Sequence, residues 1–113
     1  MVHVALDAAK KLAPDGVGVE VIDLRTFNPL DIGTVTESVK RTGRAVTLSE
    51  SCLTAGVTAE LASRITEECF DALEGPVVRI AGEDIPIPVS PALESASIPT
   101  EELVVSVINR MVR

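Results

Sequence analysis

A chain of 113 residues, 46% of them hydrophobic, is long enough for one small domain with its own core and too short for a multidomain enzyme. Aromatic residues are only 2%, so that core must be built from Val, Ile, Leu and Ala, and a formal charge of −7 argues against a nucleic-acid face or an anionic membrane as partner. Cys52 and Cys69 are too few and too far apart for a disulfide framework or a zinc site, so both are expected as reduced thiols.

Val2, Ala5, Leu6, Ala9 and Leu12 recur at helical spacing, with Asp7, Lys10 and Lys11 opposite, and predict a first amphipathic helix. Pro14-Asp15-Gly16 ends it. Val19, Val21, Ile22 and Leu24 then predict a strand covered on both faces, as in a parallel sheet. Asn28-Pro29 marks a turn, and Asp31 suits the N-cap of a second helix that begins at Ile32 and turns Ile32, Val35 and Val39 inward. Lys40 and Arg41 match that helix's carboxyl-terminal dipole, and Gly43 suits the left-handed residue after it.

Ala45–Leu48 reads as a second strand and Ser49–Gly56 as the loop leaving it. A third helix follows, with Val57, Leu61, Ile65, Cys69 and Leu73 as its buried stripe, until Gly75-Pro76 breaks it before a third strand at Val77–Ala81. Pro86, Pro88, Pro91 and Pro99 predict that Gly82–Pro99 is an extended surface crossing without a helix or a central strand. Thr100 caps a last helix reaching Val112. Glu101 and Glu102 stand in its first turn, and Leu103, Val107 and Met111, flanked by Val104 and Ile108, give it a wide apolar face. The alternation of helices and strands implies an α/β fold with parallel crossovers.

Catalytic patterns are scarce. His3 is the only histidine and has no nucleophile or ligand cluster at readable spacing, although hydrolase chemistry needs an oriented base. Gly16-Val17-Gly18 precedes a strand rather than opening a helix, which is the wrong geometry for a dinucleotide loop. Glu67-Glu68 and Glu101-Glu102 are neighbours on helices, point to different faces and read as solvated charges. Glu83-Asp84 is different, because it follows a strand, and ligands of open α/β sheets gather at the carboxyl ends of strands. It is either an interface rim or ordinary turn chemistry. The three loops at that end are Arg25–Pro29, Ser49–Gly56 and Gly82–Pro88.

The words DLRT and PLD around Asn28-Pro29, TGRAVTLSES at Thr42–Ser51 and above all FDALEGPVVRIAGEDIPIP at Phe70–Pro88 resemble the C-terminal domain of transketolase-like enzymes. The likeness is strongest to the β subunit of thiamine-diphosphate-dependent 2-oxo acid dehydrogenases, of pyruvate or branched-chain type. It runs nearly end to end. EECF and LTAG lean toward branched-chain members and IPVSPALE toward those acting on pyruvate or acetoin. The resemblance implies a three-layer α/β/α domain with a mostly parallel sheet, residues 1–113 forming one such domain from a longer β subunit.

In that family thiamine diphosphate and its divalent metal are held by other domains, so no catalytic, cofactor-binding or metal-binding residue is expected here, and the isolated chain is expected to be inactive. The domain's implied role is assembly with an α subunit and a second β subunit, and docking of the basic subunit-binding domain of the dihydrolipoyl acyltransferase. Glu74 matches a family position on that docking surface, and Glu83 and Asp84 are further candidates. The implied location is the bacterial cytoplasm or the mitochondrial matrix, with no nucleic-acid or membrane partner. A stand-alone interaction module, or the C-terminal domain of another transketolase-like enzyme, is the alternative. One departure matters: the family has a central strand just before the first helix, between the neighbours matching Val19–Leu24 and Ala45–Leu48. Without it two strand edges face each other, and self-association, most simply as a two-fold dimer through strand edges or apolar helix faces, is expected.

Overall fold

A computed structural model describes all residues from Met1 to Arg113. Its helices are α1 (Val2–Leu12), α2 (Ile32–Thr42), α3 (Val57–Cys69), α4 (Pro91–Ser97) and α5 (Glu101–Met111), and its strands are β1 (Val46–Cys52) and β2 (Val78–Gly82). The strands pair in parallel, with Val46 opposite Val78 and Leu48 opposite Ile80. The helices form two outer layers. Ala8 of α1 and Val104 and Val107 of α5 bury against Ile80 on one side of the sheet. Val35 and Val39 of α2 bury against Ile65 and Cys69 of α3 on the other. The expected α/β/α layering is therefore present.

The helix signals act as read. Asp31 caps α2 by accepting from the Thr34 amide at 3.1 Å, and Gly43 closes the helix at φ 72°. The Thr100 side chain accepts from the Leu103 amide at 3.3 Å and opens α5.

Five expectations need correction. Val19–Leu24 is extended but is not a paired strand: between Gly18 and Asp23 no backbone N–H or C=O bonds another backbone group. Its residue types favour a strand, but a strand needs a neighbour, and none lies within pairing reach. Pro91–Ser97 is helical despite the prolines, because Pro91 sits in the first turn, where its missing N–H is not needed, and Ala92–Ala96 contains no further proline. Ser49–Cys52 belongs to β1, so the loop there is only Leu53–Gly56. On α1 the fully buried positions are Ala8 and Leu12, while Leu6 is exposed; a small Ala lets α1 approach α5 closely. On α5 the inward residues are Val104 and Val107, and Leu103 faces outward.

Between the extended Gly18–Leu24 segment and β1 lies a cavity of about 750 Å³, roofed by residues of α1 and α5 and floored by residues of α2 and α3. Glu20 anchors the extended segment to α2, accepting from the Ser38 hydroxyl at 2.6 Å and pairing with Arg41. The Ser38 hydroxyl first, and the Arg41 guanidinium second, hold its carboxyl below the usual carboxylate value.

Candidate partner-binding surface

Glu74 and the Glu83-Asp84 pair lie at opposite ends of β2. The strand between them is five residues, about 16 Å, long, so they form two patches rather than one.

At the amino end, the Glu74 amide donates to the Gly43 carbonyl at 2.8 Å, and its carboxylate faces the Arg44 guanidinium at 3.4 Å. Arg44 also donates to the Met111 carbonyl at the end of α5. A Cβ on Gly43 would stand 2.9 Å from Glu74 Cγ, so the glycine both supplies the left-handed turn and lets Glu74 approach. Glu74 is therefore tied into a junction of α2, β1, β2 and α5, while its side chain stays mostly in water. Arg44 was missed in the sequence, where it stands as one more charge after a helix.

At the carboxyl end, the Asp84 carboxylate accepts from the Thr54 amide at 2.9 Å and from its hydroxyl at 2.5 Å. These two donors, the hydroxyl most, hold the Asp84 carboxyl below its usual value. The Leu53 amide donates to the Gly82 carbonyl at 3.2 Å, and Arg79 donates to the Leu53 carbonyl at 2.9 Å. Gly82 makes this closure possible, because a Cβ there would meet the Glu50 carbonyl oxygen at 2.5 Å. Asp84 thus clamps the loop after β1 to the loop after β2. Glu83 uses its backbone, donating to the Ser97 carbonyl at 3.0 Å, and its exposed carboxylate makes no ion pair or hydrogen bond. The third loop, Arg25–Pro29, stays local: Arg25 pairs with Asp23 at 2.8 Å, and the Thr26 hydroxyl donates to the Pro29 carbonyl.

Beyond the clamp runs an apolar arm that the sequence reading passed over. Ile87 is 81% exposed, Val89 97% and Leu93 61%. The signal was present in IPIPV, where each proline keeps the chain off the sheet and the aliphatic residues between have nothing to pack on. An unpaired carboxylate therefore stands beside uncovered aliphatic side chains along this rim. Cys52 is exposed near this rim and Cys69 is buried, and no three His, Cys, Asp or Glu side chains converge as a metal site would require. No helix is long and apolar enough to cross a membrane.

Comparison with known proteins bears on what such a rim serves. The chain matches the family described as transketolase, C-terminal domain, over residues 1–104. It is 44% identical over 110 residues to the pyruvate dehydrogenase E1 component subunit beta of Rickettsia bellii, covering 97% of this chain and 34% of that protein. The mitochondrial subunit beta-1 of Arabidopsis thaliana is also 44% identical over 110 residues, covering 97% of this chain and 30% of its own length. The subunit beta of Bacillus subtilis is 43% identical over 102 residues, covering 90% and 31%. The chain spans about a third of the length of these curated relatives.

Proposed function

Because this chain belongs to the transketolase C-terminal domain family, we propose that it is the assembly and partner-docking domain of the β subunit of a 2-oxo acid dehydrogenase first component. The parent enzyme decarboxylates a 2-oxo acid on thiamine diphosphate and transfers the acyl group to a lipoyl arm. Pyruvate is the substrate favoured by the relatives' names. The parent pairs this subunit with an α subunit and a second β subunit, in a bacterial cytoplasm or a mitochondrial matrix.

The cofactor and its divalent metal do not fit the residues of this chain. A diphosphate needs converging cations or helix amino termini, and its metal needs converging carboxylates. The large cavity is instead mainly aliphatic, its acidic Glu20, Asp23 and Glu50 outnumber Arg25 and Arg44, and no metal cluster exists. The domain's contribution is accordingly to bind and position other polypeptides.

The observation that carries this reading is the carboxyl-end rim, where the unpaired Glu83 carboxylate adjoins the bare Ile87–Leu93 arm. The arm supplies the apolar contact, Glu83 steers a basic domain, and Asp84 keeps the rim in shape. Glu74 marks a second, amino-end patch whose carboxylate can exchange Arg44 for a partner's cation. In the absence of partners the same arm favours self-association.

Titration calorimetry of the chain against the subunit-binding domain of a dihydrolipoyl acyltransferase tests it. Binding should weaken steeply with added salt, and Glu83→Gln should weaken it about three- to tenfold. Binding that ignores both salt and Glu83, or no binding at all, contradicts the docking role.

A further inference from the structure

Along the outer edge of β2, beside α5, lies a second cavity, an open cleft of about 320 Å³. Its lining joins the buried Ile80 and Val107 to the exposed Leu53 and Leu103, so an apolar trough runs from the core out to solvent. Backbone supplies part of the polar lining. Val78 donates to the Ala45 carbonyl, and Val78 and Ile80 stand opposite Val46 and Leu48. Alternation then turns the N–H and C=O of Arg79 and Ala81 to the outer edge, where no third strand continues the sheet. At Glu83 that edge ends, because the Glu83 amide donates to the Ser97 carbonyl at 3.0 Å. Two open residues are too few for an added strand, yet their carbonyls are free acceptors beside the trough.

Charge decides what fits. The charged lining residues are Arg79, Glu83 and Asp84. Asp84 is held by the Thr54 amide and hydroxyl, and Arg79 by the Leu53 carbonyl. After the Thr54 donors, Arg79 also acts on the Asp84 carboxyl as a positive charge, so those two charges offset each other. Glu83 has no counter-charge. The remaining field is that of one exposed carboxylate at the rim of an aliphatic trough, which disfavours an anion. A long side chain with a cationic head suits it, because the stem lies on apolar surface while the head stays at the wet rim. A guanidinium answers it better than an ammonium: its planar N–H donors can reach the Glu83 carboxylate and the free edge carbonyls together, whereas an ammonium is a compact, strongly hydrated charge.

We propose that this cleft is the anchor site for one arginine side chain of a docked polypeptide. The methylenes of that arginine lie against Leu53, Ile80, Leu103 and Val107, and its guanidinium donates to the Glu83 carboxylate. The inference deepens the docking role and rests on it for the polypeptide that carries the arginine. It adds where that polypeptide is gripped and by which side chain.

The probe is n-butylguanidinium, which carries the head and stem of arginine without a backbone. It is titrated into the full chain at fixed ionic strength and followed by amide and methyl NMR. Shifts should saturate with a dissociation constant of roughly 10 mM and map to Arg79, Ala81, Leu103 and Val107. Guanidinium itself, which lacks the stem, should bind at least about fivefold more weakly. Glu83→Gln should weaken n-butylguanidinium at least about threefold, while Glu74→Gln, at the other end of β2, should leave its binding unchanged. Glu83 is exposed and only its backbone is engaged, so the variant keeps the fold. Four results overturn the proposal: shifts that do not saturate by about 50 mM, equal binding of guanidinium, indifference to Glu83→Gln, or shifts centred on Glu74. Saturable binding in the cleft, with no affinity for the subunit-binding domain of the acyltransferase, would overturn the docking role and uphold the arginine site, so the two readings fail separately.

Discussion

The two halves of the sheet differ in how completely their backbone is used. Around β1 and β2 every connection is closed: the strands pair, Asp84 clamps Thr54, Arg79 holds the Leu53 carbonyl, and Gly82 lets the chains touch. Around Gly18–Leu24 the chain is equally apolar, yet it is held only by Glu20 and by partial packing of Ile22 and Leu24 on α2 and α3. Composition is similar in both halves and order is not. What separates them is a paired neighbour, which local sequence cannot supply.

The largest expected difference concerns core truncation. Ile65 is buried, with α2 packed over it, so Ile65→Ala should cost about 2–5 kcal/mol in urea unfolding, from lost transfer energy plus a cavity. Ile22 already borders an open cavity, so Ile22→Ala loses only part of the transfer contribution, about 1 kcal/mol. Equal costs would mean that the open half is as well packed as the closed one.

Glycines give the next contrast. Gly82→Ala forces a Cβ against the Glu50 carbonyl oxygen in the closed half and should destabilise by about 2 kcal/mol. Gly18 has nothing within 4 Å of its Cβ position, so Gly18→Ala should be neutral or stabilise by about 0.5 kcal/mol through the unfolded chain. A smaller loss of about 1 kcal/mol is expected for Thr100→Ala, which removes the cap of α5, the helix covering Ile80. Thermal unfolding monitored by circular dichroism checks all three.

The sequence made some of this fold legible. Asp31, Gly43 and Thr100 act within a few residues of their targets, so local chemistry is enough to place them. The buried pairs Val35–Val39 and Ile65–Cys69 follow from helical spacing. Failures came where distant chain decides. Val19–Leu24 has strand composition but no partner, and Ala8 is buried because α5 needs a small residue there. Pro91 opens a helix that proline density alone argues against. The candidate surface was half legible: Glu83 and Asp84 fall at the ligand-favoured end of β2, but only the fold separates them from Glu74 and shows that Asp84 is engaged by Thr54.

Acid pH provides the finest comparison. Both Glu20 and Asp84 have folded-state carboxyls below their ordinary values of 4.5 and 3.8, so each contact contributes fully above those values and is lost as pH falls through the lower folded ones. Both the Glu20 tie to α2 and the Asp84 clamp should therefore be intact near neutral pH and be lost in acid. Carboxyl resonances followed by NMR through the titration should show both groups titrating below their ordinary values, and a group that titrates at or above its ordinary value would mean that its contact is not made.

Amide hydrogen exchange on the free monomeric chain tests the central claim most directly. The account predicts that Val78 and Leu53, whose amides donate to Ala45 and Gly82, exchange only by opening of the closed half. Val19–Asp23 should exchange at least about a hundredfold faster, because its amides donate to no backbone carbonyl. Uniform slow exchange across both sets would contradict the account, since it would show that the Gly18–Leu24 half pairs its backbone as fully as the β1–β2 half does.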